Sequence, residues 1–565
     1  MAITTAQSPF RIDPLTGLRI DLTAQTLVKT NAVLAVVFLL VGGIFGLLVA
    51  LTRWPAVHLL PADLFYMALT AHGLIALVVW IVFFEIAVLY FVATSLLSCR
   101  LAAPKWAWAQ VALMTIGAAI TAVAVLQGES SVMFSAYPPM AAQPHFYLGI
   151  ILFAVGALIG CFVFWGTLVI AKEEKTYEGS LPLIVYGCMI ATVIAIFTLA
   201  SGAIILIPAL LWSLGLIKGV DPMMYRVVFW AFAHSSQQIN VTAHITIWYL
   251  VAGLAFGAKP MSEKVSRTAF LLYILFLQLG SVHHLLADPG LSSAWKIFNT
   301  SYMMYLAVLA SLIHGLTVPG SIEVAQRRNG LNNGLFEWLR KCPWSNPVFA
   351  CTILSIIIFG FIGGITGVVM SVEQVNMIIH NTIYVPGHFH GTVAGGTTLA
   401  FMGLIYYLIP VLFQRQLIMK PLAALQPWLF GIGISILAVA LMGAGTLGVP
   451  RRHWDITFAG QALSFEFPGM AQLMMTIGEI GGVLSVVGGA AFCVIVVGSI
   501  LMGEPVPANA KNIVAPPADA GGHKEIGAGG LEAPGTFVLA MTLFVCLVLY
   551  YFVNFKYLAT LWTLS

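Results

Sequence analysis

Charge is what this sequence has least of. Asp, Glu, Lys and Arg make up 8% of its 565 residues, whereas a water-exposed globular surface draws on roughly a quarter. That excludes a string of soluble domains, whatever the length. Seven cysteines (Cys99, Cys161, Cys188, Cys342, Cys351, Cys493, Cys546) form no CxxC pair and mostly lie in apolar runs. A zinc or disulfide framework is therefore excluded, and they read as small membrane-helix residues. The basic residues are scattered among loops, so a net charge of +4 builds no nucleic-acid surface. No internal repeat is visible, which removes positive support for an inverted-repeat transporter. Residues 1–30 carry charges and run into a full-length apolar segment, so no cleavable signal peptide is expected.

What the sequence has instead is apolar length. Sixty per cent of residues are hydrophobic and mean hydropathy is +0.97. Runs of twenty or more, enough to cross a hydrocarbon core of about 30 Å, recur nearly throughout. They predict an all-α polytopic membrane protein, one domain over 1–565, with about 13 spans: 30–52, 62–98, 105–127, 143–171, 181–217, 223–256, 267–286, 293–318, 347–371, 376–413, 425–447, 470–502 and 534–561. Loops on the N-terminal side hold about 18 Lys and Arg, including Arg327, Arg328, Arg340 and Lys341, against about 6 on the other side. That bias predicts a cytoplasmic N-terminus; the expected location is a bacterial or archaeal plasma membrane. Segment 504–533, rich in Pro, Ala and Gly, predicts a flexible cytoplasmic loop.

Histidines carry the chemistry. A polar side chain in hydrocarbon needs a partner, and His72, His234, His244, His283, His284, His314, His388 and His390 lie in or beside predicted spans. A single such histidine is more often a hydrogen-bonded core residue than a ligand; six in three spacings are not. His388 and His390 stand two apart, about 200° around a helix, so one helix can hold a haem on each flank. Adjacent His283 and His284 diverge by about 100° on a regular helix and can share a metal only at a helix end or distortion. Asp288-Pro289-Gly290 supplies a termination just beyond. His234 completes a three-imidazole set suited to copper, with Gln238 one turn along on the same face. His72 remains to pair with one of the His388/His390 couple on a six-coordinate haem.

These histidines stand within or among AYPPM (136–140), PHFYLG (144–149), GVDP (219–222), HHLLADPG (283–290), HNTIYVPGHFH (380–390) and GVPRR (448–452). In this order they resemble subunit I of the haem–copper oxidase superfamily, nearest its B family, over essentially the whole chain. The resemblance implies two haems and one copper. His72 and His390 would hold a low-spin haem iron, His388 the high-spin iron, and His234, His283 and His284 the copper. Arg451 and Arg452 would face the haem propionates, with Asp288 and His380 among the groups around them. A second subunit with a periplasmic domain of cupredoxin or cytochrome c type would bring electrons, since this chain has neither a CxxxC copper loop nor a CxxCH motif. Other partners are a small gaseous substrate and membrane lipid; no nucleic acid is expected.

One departure carries weight. Oxygen reductases of this kind place a tyrosine one turn after the first copper histidine; here that residue is Gln238, and Ser235 replaces the proline. Splitting O₂ in one step draws an electron and a proton from the tyrosine, which an amide cannot give. Joining two NO molecules into N₂O needs only two electrons and two protons, and related nitric oxide reductases carry glutamate there. The variant therefore resembles a nitric oxide reductase, with oxygen reduction and NO dismutation as alternatives. A displaced tyrosine on the His283 helix would restore the oxygen reading; the nearest is Tyr273, and six residues ahead of His283 stands Leu277. Proton-path candidates are Glu85, 13 residues or roughly 20 Å beyond His72, Glu479 and His314. Thr300, Ser301, Tyr302, Ser311 and Thr317 share His314's span, with Met303 and Met304 interrupting them. A transporter or an electron-carrying haem protein would explain the spans or the haem pair, but not the three further imidazoles.

Overall fold

The computed structural model describes residues 10–277, 279–458, 467–507 and 532–561. Apolar composition leaves the backbone only one way to satisfy its polar groups in lipid, which is helix after helix. Twelve helices among the described residues are long and apolar enough to cross a membrane. They are α1 (Leu22–Arg53), α2 (Ala62–Leu96), α3 (Pro104–Leu126), α4 (Pro144–Glu173), α5 (Leu183–Ser213) and α6 (Pro222–Phe256). After the short α7 (Glu263–Leu272) come α8 (Met304–Arg328), α9 (Pro347–Met370), α10 (Tyr384–Phe413), α11 (Lys420–Thr446) and α12 (Gly469–Met502), then α13 (Pro534–Leu561). The only strands among the described residues are β1 (Phe10–Ile12) and β2 (Arg19–Asp21), an antiparallel hairpin ahead of α1.

Three predicted spans need correction. The passage 267–286 is not one helix: α7 gives way to a π turn at Tyr273–Leu277 and a 3₁₀ segment at Gly280–Leu285. It is the thirteenth expected span, and among the described residues it is not one of the twelve membrane-length helices. The span expected at 376–413 begins only at Tyr384, because a helix over Glu373–Ile379 ends at His380 and Asn381 turns left-handed (φ 58°). Similarly, residues 293–303 form a short helix and a π turn before α8. The predicted loop 504–533 lies mostly outside the described residues.

Helices lie closest where side chains are smallest. A Cβ on Gly433 of α11 would come within 2.5 Å of the Ser485 nitrogen on α12, and one on Gly481 within 2.6 Å of the Leu437 nitrogen. Small residues facing each other let two backbones touch, the usual way to gain packing between helices in lipid. The central helix α10 is the most enclosed, with 94% of its apolar window buried; it carries His388 and His390. Six described cysteines are buried and Cys546 is exposed, all unpaired, as small helix residues would be.

Candidate metal centre

Local distortions of the helices aim the histidines. His283 and His284 ride the 3₁₀ segment Gly280–Leu285, a departure from regular α geometry where the passage breaks. There they meet His234 of α6. The ligand atoms of the three lie within 4.8 Å of one another. His234 Nδ1 sits 3.1 Å from His284 Nε2, and the His234 and His283 rings are 4.7 Å apart at 82°. Trp230 lies flat against His284, 3.8 Å between ring centres and 7° from parallel, which fixes that imidazole's plane.

Four of the rings have a nitrogen partner that selects the tautomer. His283 Nδ1 donates to the Gly280 carbonyl. His388 Nδ1 faces the Gly363 carbonyl at 3.1 Å and Thr366 Oγ1 at 3.1 Å. Gly363 belongs to a π turn, Phe359–Gly364, and such turns free carbonyls from the α ladder. His72 Nδ1 donates to Gly42 O at 2.9 Å and His390 Nδ1 to Pro386 O at 2.7 Å. All four rings thus keep Nε2 as the outward-facing lone pair, the arrangement that supports metal-bound imidazole.

Spacing tests whether haem and copper fit. The His72 and His390 rings are 6.3 Å apart and 13° from parallel. Two imidazole–metal bonds of about 2 Å plus two ring half-widths span roughly that distance. These rings wall a cavity of about 510 Å³ shared with Arg451 and Arg452. His388 lines a separate cavity of about 370 Å³ with His234, His283, His284 and Gln238. His388 and His390 therefore do leave opposite flanks of α10. Arg451 and Arg452 each bury an Nε without a partner; burial and the neighbouring Arg452 pull Arg451 down to about 9. Two buried guanidiniums short of carboxylates suit the two carboxylates a haem brings. The residues fit both groups.

Glycines give room that the histidine spacing did not reveal. A Cβ on Gly46 would lie 2.8 Å from His72 Cε1, and one on Gly367 2.7 Å from His388 Cε1. Gly46→Leu is expected to displace His72 and remove the low-spin haem's absorbance while leaving copper content unchanged; optical spectra with metal analysis check it.

Other expected residues fall into distinct places. Asp288 forms a two-pronged pair with Arg226, at 2.8 and 2.9 Å; Arg226 went unnoticed because it sits one turn inside an apolar helix. His380 Nε2 is 3.8 Å from Asp288 Oδ1, and burial lowers its proton affinity against that charge. Both His380 and Arg226 border a small chamber of about 20 Å³ with His283, His284, Arg451 and Arg452. His244 bonds Thr397 Oγ1 at 3.0 Å and packs on Trp248 and Phe359, a core histidine. His314 bonds Tyr249 OH at 3.0 Å, and that hydroxyl meets Thr317 Oγ1 at 2.6 Å and Ser266 Oγ at 2.9 Å. The side chain of Ser301 lies outside the described residues. Glu85 and Glu479 are on different cavities, one beside α6, the other beside His72.

Membrane-length helices enclosing a three-imidazole cluster, with a fourth imidazole facing it and a parallel imidazole pair on the other flank, define a membrane protein with a candidate metal centre. Comparison with known proteins agrees. The family "Cytochrome C and Quinol oxidase polypeptide I" matches residues 26–484. "Cytochrome c oxidase subunit 1" of Thermus thermophilus is 33% identical over 440 residues, 75% of this chain and 76% of that one. "Cytochrome c oxidase polypeptide 1" of Halobacterium salinarum is 25% identical over 319 residues, 54% of this chain and 49% of that one. A solved structure described as "Cryo-EM structure of a heme-copper terminal oxidase dimer provides insights into its catalytic mechanism" superposes with a TM-score of 0.80 at 27% identity, covering 94% of this chain and 92% of that one. The chain belongs to the haem–copper oxidase subunit I family. It is accordingly a multi-pass membrane oxidoreductase of a family that binds haems and copper.

Proposed function

We propose that this chain reduces nitric oxide to nitrous oxide: 2 NO + 2 e⁻ + 2 H⁺ → N₂O + H₂O. His72 and His390 would hold a low-spin haem, His388 a high-spin haem, and His234, His283 and His284 a copper. When bound, the haem irons and the copper would supply the redox chemistry; the chain's own residues position the gas, exclude water and move protons. The observation that carries this reading is Gln238. Its side-chain amide lies 3.2 Å from His234 Nε2, while His234 Nδ1 points at the other imidazoles. Since amide oxygen and nitrogen are interchangeable by a flip, the oxygen can accept the Nε2–H and fix His234's tautomer. No tyrosine lines this cavity among the described residues, where O₂ cleavage would call for a phenol to give an extra electron and proton.

Oxygen reduction is the second reading, favoured by the names of the relatives and by Tyr273. Its hydroxyl meets Ser311 Oγ at 3.0 Å, and Ser311 lines the metal cavity, so one hydroxyl separates this phenol from it. The test is turnover of the purified complex with NO and with O₂ under one electron donor. Rapid N₂O formation with slow O₂ consumption is expected; the reverse overturns the proposal. Gln238→Ala should leave both haem spectra in place and lower NO turnover roughly 10–100-fold, the cost of losing a ligand's outer partner.

Protons reach the site through Glu85. This residue is 9% exposed, and its Oε1 lacks a hydrogen-bond partner. It borders a cavity of about 180 Å³ that extends to Gln237 and Asn240, both of which also line the metal cavity. Tyr90, Gln110 and Asn31 form a separate buried polar group, with Gln110 Nε2 donating to Asn31 Oδ1 at 2.9 Å and Tyr90 OH to Gln110 at 3.4 Å. His314, linked through Tyr249 to Thr317 and Ser266, marks a second polar line. The charge bias of the loops puts the N-terminus in the cytoplasm of a bacterial or archaeal cell and the Arg451–Arg452 loop outside. There a second subunit with a periplasmic cupredoxin or cytochrome c type domain docks and hands over electrons.

A further inference from the structure

We propose that Glu479 is a redox-linked proton acceptor of the low-spin haem cavity, its carboxylate taking up a proton when an electron arrives between His72 and His390. This rests on the haem placement proposed above and is independent of whether NO or O₂ is the substrate.

Glu479 projects from the N-terminal third of α12, Gly469–Met502, inside a membrane-length apolar helix. It is 4% exposed and borders the cavity of about 510 Å³ that also holds His72, His390, Arg53, Arg451 and Arg452. Among the described residues it makes no hydrogen bond and closes no ion pair. Arg53 is the charge it senses electrostatically, but that guanidinium is committed elsewhere. Its Nη1 and Nη2 donate to the carbonyls of His453 at 2.8 Å and Pro450 at 2.9 Å. Arg53 thereby braces the loop bearing Arg451 and Arg452, and only its Nε is left unpartnered.

The surroundings decide how such a carboxylate behaves. From α11 the cavity wall is apolar, with Phe430, Ile434, Leu437 and Leu441; from α1 the only charge is Arg53; the loop adds Arg451 and Arg452. Tyr66 of α2 acts on Arg53, and the haem would add its own propionates. In this low-dielectric space an ionised carboxylate depends on nearby positive charge. Oxidised iron in a bis-imidazole haem contributes one such charge, and reduction removes it. The balance is simple: a one-electron donor protein passes an electron to the iron, and Glu479 gains H⁺ from water to become a neutral carboxylic acid. No other bond forms or breaks. By linkage, a proton that follows the electron makes the haem's midpoint potential fall as pH rises.

The experiment is a spectroelectrochemical titration of the low-spin haem across pH, in the purified complex with chemical mediators, for wild type, Glu479→Gln and Glu479→Asp. The wild-type potential should fall with rising pH. E479Q should flatten that slope and shift the potential positive at high pH, because the negative charge that favours oxidised iron is gone. E479D should keep a slope, displaced along the pH axis. Redox-difference infrared spectra should show a carboxylic C=O band on reduction that E479Q lacks. An unchanged slope and band in E479Q would overturn the proposal. Should E479Q not retain haem, an E479D slope and band identical to wild type would do the same. Absence of any bis-histidine haem spectrum in wild type would instead sink the haem placement itself.

Discussion

His283→Ala is expected to empty the copper site and lower turnover by at least about a hundredfold, the upper range for losing only an outer partner of a ligand. The ring is buried, and its Nδ1 is already tied to Gly280 O, which leaves Nε2 for the proposed copper. Two imidazoles, His234 and His284, hold copper poorly when the remaining position is open to water. Metal analysis should find copper reduced and iron unchanged, and the low-spin haem spectrum should persist because His72 and His390 stand in a different cavity. Intact activity in this variant would show that the three-imidazole cluster is not the reacting centre.

His390→Ala is expected to have the opposite selectivity. The proposed low-spin haem would lose one of two facing imidazoles 6.3 Å apart, so bis-histidine absorbance should disappear while copper stays. Electrons then lack their first acceptor, and turnover with a protein donor should fall by two orders of magnitude or more, roughly 3 kcal/mol or above in barrier. Because His390 stands only two residues from His388, the variant also tests whether one helix serves both haems. Loss of the high-spin signal as well would mean that α10 around the π turn His390–Thr398 moves as a unit.

The two variants separate what the sequence made readable from what it did not. His283, His284, His388 and His390 stood out by spacing, because HxH and HH have few structural uses in hydrocarbon, whereas His234 and His72 were added by their place in neighbouring spans and by the family resemblance. Their exact aim was not, since it depends on departures from α geometry that hydropathy cannot register. Residues 267–286 are apolar over most of their length, yet only a broken passage brings His283 and His284 to His234. The false start of the 376–413 span has a local cause that was visible: His380-Asn381, with Asn381 in the left-handed region. Arg226 and Arg53 were missed for a shared reason. Each lies near the end of an otherwise apolar helix, where a lone basic residue reads as a boundary marker, and only the folded chain supplies Asp288 for one and two loop carbonyls for the other. Glu85, Glu479 and His314 were grouped by rarity; the fold puts them at three separate places, which is why they receive different roles.

An X-ray anomalous map of the purified complex at the copper and iron edges tests the central claim most directly. One copper peak bounded by His234, His283 and His284, one iron peak facing it from His388 and a second iron peak between His72 and His390 are predicted. A map with iron but no copper beside His234, or with metal bound away from these six rings, would contradict the account.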